Sequence, residues 1–459
     1  MTARGERVAQ VASYGGDVAR CGLVAPASTD ELADVLARAS GAGRRITFRG
    51  GGCAFDTQSL NRDLVVSLDR LRGLRFSAGA TRVAAGAGEP WGELVRAAHL
   101  RGRMPPVVVT TAFASVAGTT SGLCVSRWTP VHGPDGDHVH AVELVTARGR
   151  RLRLTRDDAA LPAVTGGLGY LGAITSVELA LRPHAHDQVE TRLVAAGGIG
   201  EVLAACAPGA LPAGGEVTAY GALLPDLRRG MAFQSRHVSG QARRPFRAVH
   251  QPRSALRLLG ELLLVTHAGT RLVGEIAYRL RGERHVDSLV DYTFFMDGDT
   301  RFRRLGRRLG LALRLVQQSF AVPVAAGHEL IERARRVFDA AAVVPMFSDV
   351  LYCPADRALL SATHGMAGFI VSFAFSPRTR GRLARIERAL RQLSRDCRAL
   401  GGRVRLTKHV HADPDDLAAM YSATLPRFHQ LKRALDPDGA IRNEFLERVF
   451  PSLAGRPTP

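Results

Sequence analysis

The run Arg49-Gly50-Gly51-Gly52-Cys53-Ala54-Phe55 follows a strand-like segment, Arg44-Arg45-Ile46-Thr47-Phe48. Three consecutive glycines let backbone N–H groups approach an anion and let the chain turn through positive φ, which is the chemistry of a phosphate cradle. A plain glycine-rich turn is the competing reading. The run is not a dinucleotide-binding G-x-G-x-x-G, because no helix opens on it within a β-α-β unit. Two further small-residue loops, Ala114 to Gly122 and Thr165 to Thr175, also lie beside strand-like segments. Turns alone would explain each loop. Three together suit a long, extended, phosphate-bearing cofactor gripped by backbone.

The elements that must position these loops are legible in the periodicity. Residues 28–39 predict a helix, with Ser28 as cap and Leu32, Val35 and Leu36 as its apolar face. Strands are predicted at 45–48, 64–68, 82–88, 139–145 and 174–181, and a helix over Trp91 to His99 with Trp91, Leu94, Val95 and Leu100 inward. From about residue 186 the texture changes to strands mixed with arginine-rich helices. Helices are predicted over Gly327 to Ala342 and Thr379 to Leu400, a strand over Phe369 to Phe375, and a helix start at Asp413-Pro414.

The 459 residues exceed what one core usually holds and imply two or three domains. The net charge of +20 comes from arginine spread along the chain, densest from Arg301 to Arg314. That run reads first as a solvated helix face, with an anionic substrate, lipid headgroup or partner as alternatives. No zinc-finger, helix-turn-helix or RNP-like pattern supports nucleic-acid binding. Six cysteines without a C-x-x-C argue against a metal site or disulfide framework and fit a reducing cytoplasm. The beginning of the chain carries no apolar signal region, and the most apolar later run, Leu256 to Val265, is too short to span a bilayer. Peripheral membrane contact stays open.

The ordered motifs resemble the vanillyl-alcohol-oxidase-like flavoproteins with a PCMH-type FAD-binding domain. The resemblance rests on Arg49 to Phe55, Val116 to Thr120, Gly133 to Val139, Glu143 to Gly149 and Gly166 to Thr175. The later half is most similar to the oxidative subunit of decaprenylphosphoryl-ribose 2'-epimerase, through Gln317 to Pro323, Arg405 to His409 and Phe428 to Pro437. A more distant likeness to sterol C24 reductases lies in 116–149. The implied fold is α+β: an FAD-binding domain of two α/β subdomains over 15–185, a substrate domain with an antiparallel sheet over 186–412, and a helical segment over 413–459 that returns to the first.

The resemblance implies FAD; with Cys53 where relatives link the flavin through histidine, non-covalent binding is expected, a thiol link is the alternative, and the cysteine spacing points to no metal. It assigns cofactor contacts to Arg49, Gly50, Gly51, Gly52, Cys53, Ala54 and Phe55; to Ser115, Val116, Ala117, Gly118, Ser121 and Gly122; and to Gly166, Gly167, Gly172, Ile174 and Lys408. Lys408 would act beside the flavin and Gln317 would position the substrate; His132, His409 and His411 are proton-transfer candidates. The sequence departs from the family where relatives attach FAD through a histidine, here Cys53, and at Ser319, Ser348 or Asp349, and Ile370 in the substrate half. The implied reaction is oxidation of a CH–OH group of a sugar, polyol or similar small molecule. An FAD-dependent C=C reductase or desaturase and a catalytically silent flavin-fold subunit are the alternatives. The electron acceptor is left open.

Overall fold

The computed structural model describes residues 5–211, 217–239, 267–279, 284–310 and 313–454. The apolar run Leu256 to Val265 lies outside them. Among the described residues no helix is long and apolar enough to cross a membrane.

A four-stranded sheet opens the chain, in the order Arg7–Ala12, Val18–Val24, Leu64–Ser67, Ile46–Arg49. Its first pair is antiparallel and the rest parallel. The crossover between its parallel strands is the helix Thr29–Gly41, where the Ser28 hydroxyl accepts from the Glu31 N–H at 3.1 Å and Leu32, Val35 and Leu36 are fully buried. Strand Ile46–Arg49 therefore delivers the glycine run to the carboxyl end of a parallel pair, where open α/β sheets bind ligands.

The second sheet has five strands, ordered Leu74–Phe76, Arg82–Gly86, Ala173–Ala180, Val139–Val145, Arg151–Thr155, and is antiparallel throughout. Helix Trp91–His99 buries Trp91, Leu94 and Val95 as the spacing predicts, but Leu100 falls past its end and is 66% exposed. The small-residue segment after Ala114 is a short helix, Val116–Gly122, rather than a turn alone.

The third sheet is antiparallel and eight-stranded: Arg284–Ser288, Gln188–Gly198, Arg229–Val238, Val217–Leu223, Phe347–Cys353, Gly368–Phe375, Val316–Pro323, Arg403–Val404. Side chains alternate across it. Phe320, Val322, Val371, Phe373 and Phe375 pack under helices Gly327–Ala340 and Arg380–Ala399, with the Phe338 ring 5.1 Å from Phe373 and 5.2 Å from Phe375. Each buried ring contributes about 1.5–3 kcal/mol. The alternate set, including Ser319, Ala321, Leu351, Ile370 and Ser372, looks the other way.

The chain ends by returning to the first sheet. Ile46 donates to Ala440 O at 2.8 Å, Arg442 donates to Ile46 O at 3.1 Å, and Ile441 bridges Ile46 in parallel. The turn that makes this possible is a buried ion pair of Lys432 with Asp436. The Lys432 ammonium also donates to Ile441 O at 2.7 Å, and Asp436 accepts from the N–H groups of Ala440 and Ile441, each at 2.9 Å.

Candidate active site

The glycine run packs against the loop that precedes helix Val116–Gly122. A β-carbon on Gly50 would stand 2.0 Å from Ser115 Oγ, and one on Gly51 would stand 2.2 Å from Phe113 O. The Ser115 hydroxyl accepts from the Gly51 N–H at 3.2 Å. Arg304, from helix Asp297–Arg308, donates to Gly51 O at 3.1 Å, with its guanidinium 4.5 Å from the centre of the Phe113 ring. The arginine-rich run is thus partly a buttress of the loop rather than a purely solvated face: Arg303 is only 2% exposed and pairs with Asp299 at 2.8 Å.

Behind this packing lies a cavity. It is lined from the first loop by Gly50 through Phe55, from the second by Ser115, Ala117, Gly118, Ser121 and Gly122, and from the third by Leu168, Gly169, Gly172 and Ile174. Arg405, Thr407 and Lys408 close it from the far side. Four of the residues assigned to the cofactor from sequence do not line it. The Arg49 guanidinium lies beneath the loop, donating to Ala12 O at 2.9 Å and Ser59 Oγ at 3.3 Å. Val116 is fully buried. Gly166 donates to Thr120 O at 2.9 Å and Gly167 presses on Ala163, so both brace the wall from behind.

Gln317 does not line the cavity either; its backbone exchanges hydrogen bonds with His409, which the register of strand Val316–Pro323 imposes. His409 and His411 stack at 6.1 Å beside Asp56 and Arg448, outside the lining, and burial depresses both, His411 to about 3. His132 is likewise absent from the lining.

The donors fit a phosphate-bearing ligand. The N–H groups of Gly52, Cys53 and Ala54, three consecutive lining residues, have no protein acceptor among the described residues. The Cys53 thiol is pushed up by burial, opposed by Arg304 and Arg49, so it stands protonated and donates to Gly51 O at 3.7 Å.

Lys408 is the distinctive charge. Of 62 basic side chains only Lys408 and Lys432 are lysine, and Lys432 belongs to the buried clasp. The Lys408 ammonium lies 3.4 Å from the centre of the Phe55 ring and, among the described residues, has no hydrogen bond or ion pair. Burial first, and Arg405 second, lower it to about 8, against the pull of Cys124 and Asp349. Arginine in its place could not give up a proton.

Sequence reasoning did not single out Arg405, Thr407, Cys124 or Val125, which also line the cavity. Proximity to Lys408 was the available signal for the first two; nothing local marked the others. Arg405 donates to Leu123 O at 3.1 Å. Across the sheet from it, Ser319 Oγ donates to Ser372 Oγ at 2.9 Å, and Asp349 pairs in register with Ser372. One Asp349 carboxylate oxygen is buried without a partner among the described residues, and burial raises its pKa while Lys408 acts to lower it.

Residues 22–155 match the family described as FAD binding domain, and residues 309–449 match the family described as D-arabinono-1,4-lactone oxidase. Similar proteins include cytokinin dehydrogenase 1 of Oryza sativa subsp. japonica, 31% identical over 169 residues covering 34% of this chain and 32% of that protein. Alditol oxidase of a Streptomyces strain is 31% identical over 171 residues, covering 34% of this chain and 38% of its own. The chain thus spans about a third of the length of the curated relatives it matches. With the glycine cradle, the free N–H run and both family matches in place, the cofactor is FAD, and over the matched segments the chain is similar to the FAD-linked oxidases of the vanillyl-alcohol-oxidase superfamily.

Proposed function

We propose that the protein oxidises a CH–OH group of a sugar, polyol or related hydroxylated metabolite. The observation that carries this reading is Lys408: a half-buried amine near pKa 8 on the cavity wall, without a hydrogen bond or ion pair among the described residues, in a chain with only one other lysine. Similarity to an alditol oxidase and to the lactone oxidase family supports the substrate class. We further propose that 15–185 holds FAD, that 186–412 supplies the substrate wall and that 413–459 closes back on the first unit. The six free cysteines accord with a reducing cytoplasm.

FAD, when bound, supplies the hydride acceptor. The remaining work falls to the chain. The neutral Lys408 amine takes the hydroxyl proton as the C–H bond breaks, and its ammonium form is tolerated by Phe55 and Asp349. Asp349, Ser372 and Ser319 form a polar row behind the lining, where the Asp349 charge favours the ammonium form of Lys408. Gly52 to Ala54 offer N–H groups to phosphate oxygens. A protonated, desolvated Cys53 is a poor nucleophile, which favours non-covalent FAD.

The first test is the visible spectrum of the purified protein, followed by acid precipitation and by anaerobic mixing with an alditol panel. Flavin bands that pass to the supernatant, and that bleach with an alditol, are expected. Bleaching by NAD(P)H and by no alcohol would instead favour C=C chemistry. Protein that takes up no flavin when FAD is added would overturn the enzyme reading.

A further inference from the structure

Arg127 lies three residues beyond Cys124 and two beyond Val125, both of which line the cavity. Its carbonyl accepts from the Ala219 N–H at 3.1 Å, which fixes it to strand Val217–Leu223. The guanidinium sits 4.1 Å from the centre of the Tyr220 ring, 4.8 Å from Tyr292 and 3.9 Å from Phe295. Tyr220 stacks on Phe233 at 5.0 Å and packs with Val125 against the face of the eight-stranded sheet that carries Ile370 and Leu351. The guanidinium thus stands on the same side of that sheet as Val125, just beyond the residues that line the cavity.

Three aromatic faces stabilise the charge and hold the plane, yet they satisfy none of the five N–H donors. Among the described residues the Arg127 side chain has no hydrogen bond and no ion pair, though it is half-buried. A half-buried, immobilised fork of this kind matches the geometry of a carboxylate or phosphate. The step from Arg127 to Cys124 is at most about 11 Å of chain, and Cys124 feels the charge of Lys408. A ligand that reaches past Cys124 and Val125 would bring both cations into one site.

We propose that Arg127 is the anion-binding end of the substrate site, so that the substrate carries a carboxylate or phosphate group as well as the hydroxyl to be oxidised. This rests on the alcohol-oxidation reading and narrows its substrate to a sugar acid or sugar phosphate. The alternative is a clip that only ties the loop to the sheet.

The test is calorimetric titration of the FAD-loaded protein with gluconate, glucitol 6-phosphate and glucitol, in wild type, Arg127→Gln and Arg127→Lys, with flavin reduction by the same compounds run alongside. At least one anionic probe is expected to bind about tenfold more tightly than glucitol. The better probe tells carboxylate from phosphate. Arg127→Gln should erase that margin, and Arg127→Lys, which keeps the charge and preserves the stacked contact in part, should retain some of it. Equal affinity for all three probes in wild type, or a margin that survives Arg127→Gln, overturns the proposal. If Arg127→Gln fails to fold, a reduced margin in Arg127→Lys supports the fork geometry, and an unchanged margin there overturns it. Flavin reduction separates the two readings: an anion margin without reduction leaves the anion site standing and removes alcohol oxidation, and reduction by glucitol without a margin does the reverse.

Discussion

At the scale of single residues, Lys408 joins function to a stability cost. If its neutral form takes the substrate proton, flavin reduction should rise with pH through about 8 and level off above it. Rapid-mixing rates across that range check this, and Lys408→Ala should abolish the limb and slow reduction by about tenfold or more. Lys408→Arg should be equally slow at every pH while keeping FAD, because arginine stays charged. The linkage runs the unusual way for a lysine. The folded-state pKa lies below the unfolded value, so between about 8 and the ordinary lysine value of 10.5 the unfolded chain binds more protons. The penalty is full below about 8 and disappears above 10.5. Replacing the lysine with Met should therefore stabilise the apoprotein by about 3 kcal/mol at neutral pH, and denaturant titrations at neutral and strongly alkaline pH should show the gain shrinking.

At the scale of elements, two joints hold the site. The first is the contact of the glycine run with the Ser115 loop. Gly51→Ala would drive a methyl into Phe113 O, which lies 2.2 Å from the ideal β-carbon, so the loops must part. The protein should purify with little flavin while its far-ultraviolet circular dichroism is unchanged; full flavin content would refute a cradle that needs glycine there. The second joint is the clasp of Lys432 with Asp436 at the end of helix Leu425–Leu435. Asp436→Ala strands a buried ammonium and two N–H groups, and should cost about 3–5 kcal/mol by urea unfolding. The segment Phe428 to Pro437 thus holds the turn of the returning chain, which periodicity alone would not separate from a site.

For the whole molecule, the cavity wall is assembled from residues far apart in sequence, Gly50 to Phe55 on one side and Arg405 to Lys408 on the other. Any ligand seated there ties the first sheet to the last. FAD at about a hundredfold over its Kd should raise unfolding free energy by about 2.7 kcal/mol. Hydrogen exchange should show new protection in both segments together; protection confined to 50–55 would mean that 405–408 does not face the cofactor.

The sequence by itself determined the α+β class, the three glycine loops and the FAD-binding character, because these depend on local rules: periodicity, capping at Ser28, glycine where backbones touch, and motifs short enough to read in order. Cys53 and the loops beside it were legible for the same reason. Only the tertiary structure decided which members of those loops line the cavity and which, like Gly166, Gly167 and Arg49, brace it from behind. It alone placed Gln317, His409 and His411 off the lining, joined Asp349 to Ser372 and Ser319, and wrapped Arg127 in three rings drawn from distant segments. Strand register and sheet order set those meetings, and neither is encoded in any one stretch of chain.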